Sequence, residues 1–504
     1  MRFPRCSGVL LHPTSLPGSH GSGDFGADAH RFVDWLAEAG QTLWQMLPLG
    51  GIGPGNSPYM SSSAFAGNVL LVDLQDLRER GWLEAGDLAP VEGLVAGKVD
   101  FCVVVPFRME RLARAAARFA ASTNATDRAD FDAFCAEHAS WLDDYAMFMA
   151  LADHFAWRDW SEWPDGLAAR DAIALIRARD EHANRIAFWR FCQWRFFRQW
   201  QRLKDHAASR GVRIVGDAPI FIAYQSAECW ARPELFDLDE RGQPRAVAGV
   251  PPDTFSATGQ RWGNPLYRWS AHAAENYAWW IERVRRTLEM VDIVRIDHFR
   301  GFAAYWEIPA HEPTAERGQW VPGPGAALFD AIARELGDIP IIAEDLGVIT
   351  PDVDALRQQF ELPGMRILQF AFDAGSGNHF LPHHHERDTV VYTGTHDNDT
   401  TLGWWHQAST HEREHAKAYL RTDGQEIHWD LIRASCASVA DMAVHPMQDV
   451  LGLDGSHRMN FPGKAEGYWE WRFSWDQLAP AHTARLKDLC RLCGRDGTPV
   501  TPRC

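Results

Sequence analysis

The sequence predicts an α/β fold in which parallel strands close into a (β/α)8 barrel of the TIM type. Three observations lead there. Short apolar runs ending in polar or glycine-rich turns recur along the chain. Most lack polar/apolar alternation, as strands buried on both faces do. Amphipathic helical stretches separate several of them, and alternating strand and helix implies a parallel sheet that about eight strands can close.

Taken in order, the strand candidates are "SGVLLHP" (7–13), "TLWQMLP" (42–48), "VRIVGDAPI" (212–220), "VDIVRIDHF" (291–299), "IPIIAEDLG" (339–347), "MRILQFAFD" (365–373), "TVVYTGTHD" (389–397) and "MAVHPMQDVLGL" (442–453). Two helices between them are legible from apolar residues at 3–4 spacing and a terminating glycine: "GADAHRFVDWLAEAG", stopping at Gly40, and "GAALFDAIARELG" before the fifth strand. The spacing is uneven, and the excess reads as insertions into a single catalytic barrel spanning 1–504. Residues 100–205 are helical in pattern, with Phe188, Phe191, Trp194 and Phe197 along one stripe. Residues 222–280, rich in Pro, Gly and aromatics, form a second insertion. No internal repeat or low-complexity linker divides the 504 residues.

Composition narrows the function. Hydrophobic residues make up 46% and charged residues 23%, the mix of a soluble globular protein. No apolar run reaches the ~20 residues that cross a bilayer. The opening "MRFPRCSGVLLHP" has too short an apolar run for a signal peptide, so a cytoplasmic enzyme with no membrane partner is expected. Nine scattered cysteines fit reduced thiols; Cys490 and Cys493 have CxxC spacing but no second pair to complete a zinc site. A net charge of −17 repels a phosphate backbone and argues against nucleic acid. It does not oppose a neutral polymer, and 23 tryptophans supply rings that can stack on sugars.

Several motifs have dull explanations. "GSGDFG" (21–26) matches G-x-G-x-x-G, yet "HPTSLPGSH" separates it from the strand and the next strand holds no acid, so a glycine-rich loop is favoured over nucleotide binding. "HDND" (396–399) lacks the acidic spacing of a calcium loop, and "HHH" (383–385) follows a proline in a loop-like stretch. No metal and no cofactor is expected.

Three acid clusters at strand ends are harder to dismiss. In "VRID", alternation sets Arg295 and Asp297 on one face, and the guanidinium is expected to lower the Asp297 pKa, as suits a carboxylate nucleophile. In "IIAED", Glu344 follows apolar residues and is expected to stay protonated, as a general acid should. In "GTHDND", Asp397 follows a strand rich in β-branched residues. At a barrel's C-terminal rim these are the catalytic positions.

The motifs "SPYMSSSAFAGN", "GVPPDTFSATGQRWGNPLY", "VRIDHFRGF", "IIAEDLGVITPDV" and "YTGTHDNDTTLGWW" together resemble those of the 4-α-glucanotransferases called amylomaltases or disproportionating enzymes. The likeness runs nearly the whole chain. It implies an α-amylase-like barrel with inserted subdomains and no separate C-terminal β-sandwich, and a retaining double displacement on α-1,4-glucan and maltooligosaccharides. It implies Asp297 as nucleophile, Glu344 as acid/base, and Asp397 on the donor sugar's hydroxyls. Arg295, His298 and His396 would hold that sugar, and Tyr59 and Asp217 would line the donor side. A loop carrying Phe255, Gln260, Trp262 and Asn264 would cover the acceptor side. The chain departs from the family at Thr254, where some members have tyrosine, at Val69, at Phe461 in "NFPG" and at Tyr468 in "YWEWR".

Overall fold

The computed structural model describes residues 3–89, 91–94, 97–164, 166–253, 256–464 and 467–497. Within them, twelve strands follow in chain order: β1 (Cys6–Leu10), β2 (Leu43–Gln45), β3 (Arg213–Pro219), β4 (Ala246–Val250), β5 (Gln260–Pro265), β6 (Ile293–Asp297), β7 (Ala304–Pro309), β8 (Gln319–Pro322), β9 (Ile341–Ala343), β10 (Gly364–Ile367), β11 (Thr389–Tyr392) and β12 (Met442–Pro446). Eight form one parallel sheet in the order β10-β11-β12-β1-β2-β3-β6-β9. These are the eight apolar runs picked out in the sequence.

The ends of that sheet meet. Ala343 N–H donates to Pro363 O (2.9 Å), and Met365 N–H donates to Asp345 Oδ1 (2.6 Å), so a backbone bond and a buried carboxylate close the seam between β9 and β10. Side chains fill the interior: β1, β2, β11 and β12 are buried throughout. Gly8 on β1 has no room for a side chain, since a Cβ there would lie 2.4 Å from the Leu43 carbonyl oxygen of β2.

Between β2 and β3 run the helices Phe101–Ala121, Ala125–Glu137, Ala139–His154, Ala172–Glu181 and Ala183–Ser209. The last buries more than the stripe expected from its sequence. Phe188, Phe191 and Trp194 are buried and Phe197 half-buried, but Trp189, Phe196 and Trp200 are buried too. Phe196 and Trp200 lie 5.2 and 5.0 Å from the ring of Phe25, which precedes the helix Ala27–Glu38. Trp200 Nε1 also donates to Met290 O (2.9 Å). One helix thus serves both the helical insertion and the barrel wall.

A second, antiparallel sheet has the order β5-β4-β7-β8. It joins segments on either side of β6, so the structure around the second insertion draws in residues 304–322 as well as 222–280.

Candidate active site

The chemistry-bearing residues gather where barrel strands end. In the β3–β6 ladder Asp217 pairs with Arg295, and in the β6–β9 ladder Ile296 pairs with Ala343. One step further that register sets Asp297 beside Glu344, on strands about 4.8 Å apart. The loop after β2 brings Tyr59, and the turn after β11 brings His396 and Asp397.

Hydrogen bonds join most of these groups. Arg295 donates through one nitrogen to both oxygens of Asp217 (2.8 and 2.7 Å) and through the other to Asp297 Oδ1 (2.8 Å). Tyr59 Oη–H donates to Asp217 Oδ2 (2.7 Å) and lies 2.8 Å from His396 Nε2. With its proton given to Asp217, Tyr59 accepts from His396, which assigns the imidazole proton to Nε2. The two rings stack with centroids 5.4 Å apart. His396 Nε2 is also 3.4 Å from Asp397 Oδ1.

Asp397 is held from a segment that the sequence reading passed over. Asn460 Nδ2 donates to its Oδ1 (2.7 Å), and Arg458 donates to its backbone oxygen (2.6 Å) and to that of Asn460 (2.6 Å). Asn460 opens the "NFPG" stretch noted above for Phe461; nothing local in the sequence links it to an acid 63 residues away.

The two central carboxyls differ electrostatically. Glu344 accepts from two backbone N–H groups, His298 (2.7 Å) and Leu346 (2.8 Å). Burial pushes its carboxyl up to about 8, with the negative charge of Asp297 adding to the effect, and this outweighs Arg295 and the two N–H groups. That agrees with the protonated acid expected from sequence. Asp297 departs from expectation. Burial, joined by the charges of Asp217 and Asp397, overrides Arg295, so its carboxyl lies above the ordinary value rather than below it. Arg295 nevertheless touches Asp297, whereas no ion pair reaches Glu344 among the described residues. Burial and the Asp297 charge thus favour the protonated form at Glu344, and the Arg295 contact favours the ionised form at Asp297.

Other expected residues take up different stations. The side chain of Asp217 is 0% exposed and that of Arg295 4%, so Asp217 acts on the cleft through Arg295 and Tyr59. His298 has left-handed backbone (φ 54°), an uncommon conformation for a non-glycine residue, and its buried Nε2 has no hydrogen-bond partner among the described residues. Burial, with Arg300 nearby, pushes its pKa down to about 3, which leaves a neutral imidazole. Trp262 meets that ring edge-on at 4.8 Å and donates from Nε1 to Gln260 Oε1 (3.1 Å). Asn264 is buried, with Nδ2 donating to Ile222 O (2.9 Å). Phe255 and Thr254 lie outside the described residues.

The remaining motifs form local structure. In "GSGDFG", Asp24 accepts from Gly26 N–H and pairs with Arg108 (2.8 Å). Of the "HHH" histidines, His383 contacts Tyr419 in the helix Thr410–Leu420, and His384 and His385 contact the backbone oxygens of Ser376 and Phe380. Cys490 Sγ lies 3.2 Å from Ser7 Oγ. Among the described residues no group of three or more His, Cys, Asp or Glu side chains could hold a metal ion, and no helix is long and apolar enough to cross a membrane.

A (β/α)8 barrel with two carboxyls on adjacent strand ends and a third across the mouth defines a class: barrel enzymes that work on glycosidic bonds by carboxyl chemistry. Comparison with known proteins is specific. Residues 11–478 match the family model described as 4-α-glucanotransferase. The 4-α-glucanotransferase of Thermus thermophilus is 50% identical over 503 residues, covering 98% of this chain and 100% of that protein. That of Synechocystis sp. is 46% identical over 495 residues, covering 97% and 98%. The solved amylomaltase from Streptococcus agalactiae in complex with acarbose superposes with a TM-score of 0.95 at 38% identity, covering 97% of this chain and 99% of that one. The chain belongs to the 4-α-glucanotransferase family.

Proposed function

We propose that this enzyme moves α-1,4-glucan segments from a donor to the 4-hydroxyl of glucose or another α-glucan by a retaining double displacement. The observation that carries the reading is the side-by-side placement of Asp297 and Glu344 in different electrostatic settings, one touching a guanidinium and one without an ion pair among the described residues.

In the first half-reaction an Asp297 oxygen forms a bond to the anomeric carbon. The glycosidic bond breaks, its electron pair goes to the leaving oxygen, and Glu344 supplies the proton. In the second, an acceptor 4-hydroxyl attacks the anomeric carbon, Glu344 takes the hydroxyl proton, and Asp297 leaves with its electron pair. Asp397, held by Asn460 and more than a third exposed, is placed to accept hydroxyls of the donor ring. Arg295, His298 and His396 hold the same sugar, and Tyr59 and Asp217 fix Arg295 and His396.

Water competes for the intermediate at far higher concentration than any sugar. Transfer prevails only if the acceptor is bound in position, where effective molarities reach roughly 10⁵ M. Trp262 and Gln260, on strand β5 where the sequence suggested a loop, supply that acceptor surface and limit water. Free thiols at all eight described cysteines fit a cytoplasmic setting.

Incubation with maltotriose tests the proposal: glucose and longer oligosaccharides should form with little change in total reducing ends. Stoichiometric release of new reducing ends would identify a hydrolase on the same barrel, and an unchanged oligosaccharide distribution would leave only a glucan-binding protein.

A further inference from the structure

We propose that Glu228 is a positioning residue for the donor side of the cleft, holding the loop 57–66 that presents Tyr59. The inference rests on the transferase reading above and extends it to a residue in the second insertion, far from the reacting atoms.

Glu228 is buried, 6% exposed, at the start of the short helix Ala227–Ala231. Its two oxygens are spent on one loop: Ser63 Oγ–H donates to Oε1 (2.6 Å) and Ala64 N–H to Oε2 (3.1 Å). The Ser63 hydroxyl in turn accepts from Phe65 N–H (3.0 Å) and Ala66 N–H (3.1 Å). Beside it, Ala227 N–H donates to Ser62 O (2.9 Å). One carboxylate therefore organises the backbone from Ser63 to Ala66, a few residues beyond Tyr59.

The loop needs such a hold. A cavity of about 80 Å³ lies against it, lined among others by Tyr59, Ser61, Ser63, Ala64, Asp217 and Arg283, so packing alone does not fix it. Its working end is the Tyr59 hydroxyl, which bonds Asp217 and His396. A buried carboxylate is costly unless its bonds are well made, and here they are made to this loop and not to the cleft. Asn264 on β5 reaches the same loop, with Nδ2 3.7 Å from Met60 Sδ. The insertion that carries the acceptor-side Trp262 thus also braces the donor side.

Removing the brace lets Tyr59 drift from Asp217 and His396 and harms donor handling without touching the acceptor surface. Glu228→Ala, Glu228→Gln and Ser63→Ala are compared with the parent enzyme, using maltotriose as donor and isotopically labelled glucose as acceptor, each varied separately. A double displacement gives ping-pong kinetics, so the two half-reactions are read independently. For Glu228→Ala, kcat/KM for the donor should fall roughly tenfold or more, as misplacement of about 1 Å can cost. The acceptor KM should move by less than about twofold, within the ordinary scatter of a remote change. Glu228→Gln should recover most of the loss, because its amide oxygen still accepts the Ser63 hydroxyl. Ser63→Ala should shift the donor constant the same way by a smaller factor.

A donor constant in Glu228→Ala and Ser63→Ala indistinguishable from the parent overturns the proposal, as does a fall of donor and acceptor constants by the same factor. If Glu228→Ala does not fold, Ser63→Ala decides by the same criteria. The parent is assayed first: absence of any transfer product there removes the transferase reading and this inference with it, whereas an active parent with unselective variants removes the inference alone.

Discussion

The two sides of the cleft are built on different physics. On the donor side, bonded contacts run without a break from Asn460 through Asp397, His396, Tyr59, Asp217 and Arg295 to Asp297. On the proposed acceptor side, Trp262 shares one bond with Gln260 and meets the imidazole of the donor-side His298 edge-on. The difference matches the proposed chemistry. The donor sugar must keep one geometry from ground state to covalent intermediate, which favours groups fixed before the substrate arrives. The acceptor side must release one sugar and admit another, which favours a flat aromatic surface held by few fixed polar contacts.

The largest expected effect strikes the end of the donor network. Asp297→Asn removes the proposed nucleophile with almost no change of shape, and Arg295 keeps its two bonds to Asp217. Turnover of maltotriose should fall by roughly 10³-fold or more, while the thermal unfolding midpoint stays close to that of the parent. Near-parental turnover would show that the donor network serves only to bind.

Glu344 stands where the two sides meet, and pH probes it. With the carboxyl raised to about 8 by burial and the neighbouring Asp297 charge, it is protonated below that pH and ionised above it. The sign follows: the acid is present at low and neutral pH, and kcat/KM for the donor should fall as pH rises through about 8. For Glu344→Gln, residual activity should lack that alkaline limb. A glycosyl fluoride, whose leaving group needs no proton, should react with the variant far better than maltotriose does. An alkaline limb that survives in Glu344→Gln would assign it to another group.

The same contrast explains what could be read from the sequence. The barrel was legible because its strands are buried on both faces and so appear as plain apolar runs such as Thr389–Tyr392, and because Gly40 and Gly337 end two helices. The antiparallel sheet was not. Its strands include Gly249 and an exposed edge at Gln319–Pro322, and lie on both sides of β6 in the chain. The acids were legible as residues because they follow apolar runs directly. Their states were legible only in part: burial of Glu344 is implied by "IIAE", but at Asp297 burial, reinforced by the charges of Asp217 and Asp397, outweighs the adjacent Arg295, and those two acids lie 80 and 100 positions away in the chain. Asn460 was missed for the same reason, and the complete burial of the Asp217 carboxylate beneath Tyr59 and Arg295 has no one-dimensional signature.

The smallest effect should come from the acceptor side, and it tests the comparison most directly. Trp262→Ala deletes an aromatic surface whose ring contacts include His298 and, at 6.5 Å, Phe221, but breaks no link in the donor network. Stacking of this kind is worth about 1 kcal/mol, so the acceptor KM should rise only about fivefold. Formation of the intermediate should be nearly untouched, because Asp297, Arg295 and Glu344 keep all their partners. The intermediate then waits longer for a sugar and meets water more often. The ratio of new reducing ends to transfer products should therefore rise, although the donor's kcat/KM hardly changes. If Trp262→Ala instead lowered the donor constant as much as the acceptor constant, the two sides would not be separable, and the rigid network and the aromatic surface would have to be treated as one device.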